Sequence, residues 1–513
     1  MFIGRLQDLY INLMSPWIPF VSRIPVRWRR RMITFCFFVI IVLFLIVRFV
    51  MRSDSYFDHQ LLGVLMMSVI GILSLGTELK RVSWSRPVFL VWMCLCLVMT
   101  ISDFLVPRDF CGFGVVLFLV FPGVFFIWQN HPEREWLWGS FKTAVRIAFF
   151  LMTVLSFGFR PLYEGGRYSG VFTNPNMFGL YLILVMAVFF SDLDRAALTG
   201  KRWYKSVPSM IGLGVASFFL LKTQSRTSFV ACGVIAVGWL LIQLTRLSDR
   251  RTGISFLKNL LATILIGVVL YPVCLVTTAY LPWVIGHPVV FAGESLYLNN
   301  EVMITDFGKH AIEPPKADLS GILYGYVPAA VVSETEKPDT SEPKQESSPP
   351  AVQEGGKDGS EQKSEEPQSR FWSMLENSSS LNALFNWRLD IYRGYVERID
   401  FVGHPEIALT VNGKRRAHAH NNWIQYGYTY GWFGMLFYGL ITVFAVFRSI
   451  LYFRRHAAEK SGYVFLVPAV CIGFVVATIT ECLMLPFEVF PAFGFWFVFG
   501  ELFIAERKET KRV

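Results

Sequence analysis

The chain has 513 residues, of which 53% are hydrophobic, 16% aromatic and only 17% charged, with a mean hydropathy of +0.45. Soluble domains carry about 25% charged residues, so this composition excludes an ordinary water-soluble enzyme and predicts an all-α polytopic membrane protein. The formal charge of +10 does not imply a nucleic-acid partner, because the basic residues cluster in short tracts between apolar runs, where they act as topology signals.

A bilayer is crossed by about 20 apolar residues. That measure predicts about twelve spans, near 32–51, 61–77, 87–105, 111–128, 142–159, 176–191, 207–222, 228–245, 259–284, 431–453, 463–483 and 487–505. Residues 1–31 form a basic, aromatic N-terminus expected in the cytoplasm, followed by nine spans over 32–284. A large extracytoplasmic loop, 285–430, is expected between the ninth and tenth spans. The last three spans occupy 431–505, and a basic tail, 506–513, returns to the cytoplasm. The first apolar run is long enough to span, which sets it apart from a cleavable signal peptide. Arg27, Arg29, Arg30 and Arg31 place the N-terminus inside. The alternation then puts Lys80 and Arg81, Arg195 to Lys205, Arg246 to Arg251, Arg454 and Arg455, and Arg507 to Arg512 on that same side.

Within the long loop, 331–370 is rich in Ser, Glu, Pro and Lys with almost nothing to bury, so it is expected to be disordered. Residues 371–430 regain apolar and aromatic side chains, and Leu384, Trp387, Ile391, Tyr395 and Ile399 recur at helical spacing over Leu381–Asp400. Cys36, Cys94, Cys96, Cys111, Cys232, Cys274, Cys471 and Cys482 lie in or beside apolar runs. They read as small core or lipid-facing residues, not as a disulfide framework or metal site.

Against this topology, Arg160, Arg167, Lys222, Arg226 and Arg388 fall on the outer side, where loops normally lack Lys and Arg. Cations held there suggest an anion, a phosphate or diphosphate at the outer membrane surface. Three clusters carry them. The first, FRPLYEGGRYSGVFTNPN, runs from Phe159 to Asn176; its Asn174-Pro175-Asn176 turn opens a helix whose N-terminus, with Arg167, suits a phosphate. The alternative is a re-entrant turn with a snorkelling arginine. The second, KTQSRTS over 222–228, is so short that it pins Arg226 at the membrane boundary, either as an anion ligand or as a cap on the preceding helix.

The third is RRAHAHNNWIQYGYTYGWFG, 415–434, together with Arg388 and Arg393 on the expected helix before it. Those two arginines stand about 140° apart on a helical wheel, so one of them faces a common site. His418 and His420, two apart, have a spacing that suits zinc on a strand, but no nearby Cys or acidic partner completes a metal set. A neutral imidazole at the membrane surface fits a general base or hydroxyl-orienting group better, with Asn421 positioning substrate or imidazole; two solvated loop histidines are the alternative. Asp192-x-Asp194 looks like a nucleotide-sugar metal pair but is expected in a solvated inner turn. Glu481 and Glu488 flank the outer turn between the last two spans, either guiding an acceptor or sitting among headgroups.

These residues resemble the O-antigen ligase and O-antigen polymerase-like membrane glycosyltransferases. The resemblance rests on Arg167-x-x-Gly170 before Asn174-Pro175-Asn176, on Ser225-Arg226-Thr227, on Arg388 with Ile391-Tyr392, and on His420-Asn421 with Trp423-Ile424-Gln425 before Gly431. It covers roughly residues 60–505. Thr429 stands where the family often carries an acidic residue, Val402-Gly403-His404 replaces its usual glycine pair, and 331–370 is an insertion. The resemblance implies inverting, metal-independent transfer of glycan from an undecaprenyl-diphosphate-linked donor to a lipid- or glycan-linked acceptor, without a cofactor. It implies Arg167, Arg226, Arg388 and, more weakly, Arg160 on the diphosphate, and His420 with Asn421 on the acceptor hydroxyl. His418, Asn174, Asn176 and Arg393 are secondary candidates. A ligase, a polysaccharide polymerase and a protein O-oligosaccharyltransferase all fit. A transporter or flippase of lipid-linked sugars is the reading from another class, although transporters place charge near the bilayer midplane and show related halves.

Overall fold

The computed structural model describes residues 2–46, 56–76, 78–108, 112–158, 163–164, 167–172, 174–199, 203–245, 250–284, 388–457, 459, 461–484, 487 and 490–505. Arg160, Glu488, Cys111 and the 331–370 tract lie outside the described residues. The chain is largely helical. In order come α1 (Phe2–Met14), α2 (Val26–Ile41), α3 (Tyr56–Leu73), α4 (Arg86–Leu105), α5 (Phe113–Asn130), α6 (Arg134–Gly158), α7 (Pro175–Thr199), α8 (Val207–Thr223), α9 (Arg226–Thr245) and α10 (Arg250–Val284). After the long connection follow α11 (Leu389–Val396), α12 (Asn422–His456), α13 (Leu466–Thr478) and α14 (Phe490–Phe499).

Among the described residues, eight helices are long and apolar enough to cross a membrane, and three shorter apolar helices accompany them at Asp58–Leu73, Leu466–Thr478 and Pro491–Phe503. Among the described residues, two small antiparallel hairpins depart from the all-helical expectation: β1 (Tyr163–Glu164) with β2 (Arg167–Tyr168), and β3 (Leu409–Val411) with β4 (Lys414–Arg416).

The central helix is α7, whose apolar window is 83% buried, whereas the corresponding window of α10 is only 11% buried. Around α7 pack α8, α9 and α13, while α10 leans on α8 from outside and α12 packs on α4. Tyr168, Phe172, Phe178 and Phe219 form a ring cluster with centroids 4.7 to 6.2 Å apart, which seats the α6–α7 connection on the bundle. Phe104, Phe150, Leu261 and Val268 are strongly exposed, as lipid-facing side chains are.

Several boundaries differ from the sequence reading. Arg27 to Arg31 lie inside α2 instead of preceding it. The helix expected over Leu381–Asp400 begins at Leu389 within the described residues, and Arg388 is its N-cap residue. The tenth span starts nine residues early, at Asn422, but is broken at Gly431, whose φ of 78° and ψ of 178° are not helical. The break has a cause. Segment 400–403 enters it: Asp400 accepts from the Trp432 amide at 2.9 Å, and a Cβ on Gly431 would stand 2.3 Å from the Phe401 carbonyl oxygen. Gly403 is as close on the other side, where a Cβ would meet the Thr429 carbonyl oxygen at 2.0 Å. The fully buried Arg108 guanidinium then holds the junction. It pairs with Asp103 at 2.8 Å, donates to the His404 carbonyl at 2.9 Å and the Ser102 hydroxyl at 2.7 Å, and reaches the Thr429 carbonyl at 2.5 Å. Every direction of that charge is answered, which is what a buried arginine requires.

The two ends of the bundle are distinct. One end gathers Arg81 with Asp8, Arg134 with Glu501, Arg195 with Glu135, and Lys142 with the Gly462 carbonyl. The other gathers the α6–α7 connection, the α8–α9 turn, segment 388–421 and the residues after α13. Asp192 and Asp194 belong to the first end but not to a solvated turn. Both sit on α7, Asp192 paired with Lys142 at 2.6 Å and with Arg146, and Asp194 accepting from Gln243 at 2.5 Å.

Candidate functional site

At the second end a carboxylate that sequence reading left at the margin becomes the centre. Glu481 follows α13 in a short non-helical segment, and its side chain is only 9% exposed. Its Oε1 faces both terminal nitrogens of Arg388 at 3.3 Å and accepts from the Asn176 amide at 3.2 Å. Its Oε2 faces His420 Nδ1 at 3.7 Å. Burial raises the Glu481 carboxyl, but the facing His420 and the Arg388 charge outweigh it and hold the group below its ordinary value.

Each neighbour is fixed by the local fold. Arg388 precedes α11 and also donates to the Thr480 carbonyl. Asn176, in the first turn of α7, accepts from Arg167 at 2.6 Å, and Arg167 Nε donates to the Thr223 carbonyl at 3.0 Å. One network therefore joins Arg167, Asn176, Glu481 and Arg388, drawn from three separate stretches of chain. His420 adopts a left-handed backbone with φ of 52°, uncommon for a residue with a Cβ. Its carbonyl accepts from the Tyr392 hydroxyl at 3.2 Å and its amide donates to His418 Nδ1 at 3.2 Å, which together pin that conformation. Its Nδ1 is buried and has no hydrogen-bond partner among the described residues.

His418 stacks edge-on against His420 with ring centroids 4.2 Å apart. Burial first, then the charges of His420 and Arg388, push its imidazole down to about 4, with Glu481 opposing. A neutral Nδ1 that accepts from the His420 amide is consistent with that direction.

The other candidates divide. Asn421 caps α12 by accepting from the Ile424 amide at 3.0 Å, and its own amide donates to the Ile479 carbonyl at 2.8 Å, so both of its ends anchor backbone beside Glu481. Asn174 accepts from the Met177 amide at 2.9 Å and so caps the first turn of α7. Arg226 is exposed at the first position of α9; the adjacent Thr227 hydroxyl meets that of Thr480 at 2.5 Å, which sets Arg226 on the rim. The left-handed Gln224, φ 49°, makes the turn that α8 ends on. Arg393 pairs with Glu397 at 2.8 Å along its own helix. Thr429 puts its hydroxyl against Gln425 at 3.1 Å. Among the described residues no group of three His, Cys, Asp or Glu is placed to hold a metal ion.

Sequence reasoning underrated Glu481 and did not single out Tyr392 as a contact of His420. The available signal was an isolated carboxylate between two apolar runs, a placement that is costly unless paired. No protein-family model, curated protein or solved structure matches the chain.

Proposed function

We propose that this chain is a metal-independent, inverting integral-membrane glycosyltransferase that acts on the extracytoplasmic face of a cell membrane. The donor is a glycan on undecaprenyl diphosphate, and the product belongs to cell-surface polysaccharide assembly. The observation that carries the reading is the meeting of Arg167, Arg388 and His420 around Glu481 at one end of the bundle. The motif resemblance to O-antigen ligases and polymerases supports it. On a topology in which α2 joins the eight long and three shorter apolar helices as a twelfth span, positive-inside alternation turns the Glu481 end outward, which agrees with that reading.

In this mechanism His420 accepts the proton of the acceptor hydroxyl at Nε2, while Glu481 holds the imidazole with Nδ1–H toward Oε2. This is the orienting role a carboxylate plays beside a catalytic histidine. The 3.7 Å separation shortens in the loaded complex, as catalytic hydrogen bonds do. The acceptor oxygen forms a bond to the anomeric carbon, the bond from that carbon to the diphosphate oxygen breaks, and the electron pair leaves with the lipid diphosphate. Arg388, Arg167 and the rim residue Arg226 stabilise the departing charge. Because Arg388 is held by Glu481 until substrate arrives, the incoming diphosphate competes for a guanidinium already aimed at the site. Fixed donors of this kind act without reorganisation in a water-poor site.

The test uses purified protein in proteoliposomes with a polyprenyl-diphosphate-linked oligosaccharide and its acceptor. His420→Ala and Arg388→Ala should each lower transfer by ~10²–10³ while the protein still inserts and accumulates, the usual cost of removing one transition-state donor. Full turnover by His420→Ala would sink the acid–base assignment. Facilitated movement of the lipid-linked sugar across the bilayer without glycan transfer would replace the enzyme with a flippase.

A further inference from the structure

At the opposite end of the bundle a cavity of about 520 Å³ lies between α6, α7 and α8. Its polar wall carries Arg146, Arg195 and Lys205 against one carboxylate, Asp192. That carboxylate is already engaged, by Lys142 at 2.6 Å and by Arg146, and Arg195 faces Glu135 at 3.4 Å. Against these two carboxylates stand Lys142, Arg146, Arg195 and Lys205, so the neighbourhood keeps an excess of positive charge. Three polar atoms on it are buried without a hydrogen-bond partner among the described residues: Arg195 Nε, Thr153 Oγ1 and Ser206 Oγ. Ser206 as a whole is only 4% exposed. Buried polar atoms are rarely left unanswered in native proteins, and all three belong to side chains that line this one cavity, where a bound acceptor would meet them once those side chains rotate.

The remaining wall is apolar. Phe149 and Phe189 are buried in it, whereas Phe150 and Ile211 are strongly exposed at its edge, so the cavity opens sideways onto the surface that lipid covers. Cations and hydroxyls at one side with an apolar exit at the other match an amphiphile with an anionic head. A soluble anion would leave the apolar wall wet. We propose that this cavity binds an anionic glycerophospholipid, with the phosphate among Arg195, Lys205 and Ser206 and an acyl chain along Phe150 and Ile211. Basic pockets between membrane helices bind such headgroups. This site is independent of the chemistry proposed at Glu481.

The proposal is tested by native mass spectrometry of the purified full chain in detergent with added phosphatidylglycerol, phosphatidylcholine or inorganic phosphate. Phosphatidylglycerol should be retained at least ~10-fold better than phosphatidylcholine, a difference of about 1.4 kcal/mol. The exposed-site change Lys205→Gln and the double change Lys205→Gln with Arg195→Gln should reduce that preference stepwise. Val215→Trp, which fills the apolar wall, should weaken phosphatidylglycerol without removing the charge. Equal retention of the two lipids, or an unchanged preference in the charge variants, overturns the proposal. Displacement of phosphatidylglycerol by equimolar inorganic phosphate would make this a soluble-anion site and overturns the lipid assignment.

Discussion

At Glu481 the desolvation of a nearly buried carboxylate is offset by Arg388 and Asn176 on one oxygen, with His420 facing the other. Removing the charge while keeping the shape separates orientation from scaffolding. Glu481→Gln retains a carbonyl for Asn176 but cannot hold Nδ1–H as firmly, so transfer should fall by ~10²–10⁴, the range of a misdirected general base. Binding of the donor should not weaken and should tighten modestly, because Arg388 is released from a competing carboxylate; a KM rise with unchanged kcat would contradict the orienting role. Two groups here also make stability depend on pH. His418 has its proton affinity lowered from an ordinary 6.5 to about 4, so the folded state binds fewer protons than the unfolded chain between those values. Its contribution is complete above about 6.5 and is lost as pH falls toward 4. Glu481, also lowered, contributes above the ordinary carboxyl value and loses that contribution further into acid. His418→Gln should therefore flatten the fall in thermal stability between pH 6.5 and 4, as read by unfolding in detergent, while leaving the more acidic loss in place.

On the scale of elements, the site depends on where helices start and stop. The Asn421 cap and the break at Gly431 together set the height at which α12 begins and the direction it takes past Glu481. Asn421→Ala should cost about 1 kcal/mol, as loss of an N-cap does, and should loosen Ile479 as well. Gly431→Ala meets both a left-handed φ and a carbonyl 2.3 Å from the new Cβ, so about 1–3 kcal/mol of backbone strain and overpacking is expected. A Gly431→Ala protein that unfolds at the wild-type temperature would show that segment 400–403 does not occupy the break. The hairpin β3–β4 supports α11 from behind: Tyr395 donates to the carbonyls of Ile407 and Arg416 at 3.1 and 3.2 Å, tying the helix that follows Arg388 to the strand pair that precedes His418.

For the whole molecule, the bundle separates a charged end stitched by Arg134–Glu501 and Lys142–Asp192 from an end built around Glu481. Deleting 331–370, a tract with almost no apolar side chains, should leave accumulation and transfer within about twofold, since such composition cannot bury enough surface to build a site; a dead deletion variant would refute this. On the proposed function, surface glycan from cells lacking the gene would identify the acceptor step. Short chains mark a polymerase, accumulated long lipid-linked chains a ligase, and unglycosylated proteins a protein transferase.

The helical content and the presence of several apolar helices long enough to cross a membrane were legible in the sequence, because hydropathy acts over the length of one helix. The same locality made Asn174-Pro175-Asn176 readable as a helix start, whereas the Asn421 cap was missed because the apolar run by which the tenth span was placed begins only near 431. Arg388 could be nominated from its sidedness, and His420 from the chemistry of an imidazole beside the membrane and from its motif. Their common partner could not, because Glu481 lies 93 residues beyond Arg388 and 305 beyond Asn176, and no local pattern encodes which buried charge will face which. The break at Gly431, the buried Arg108 that holds it, and the pairing of Asp192 with Lys142 were likewise decided only by tertiary structure. Inside an apolar bundle an ionic group must find its complement wherever the fold brings one, however distant along the chain.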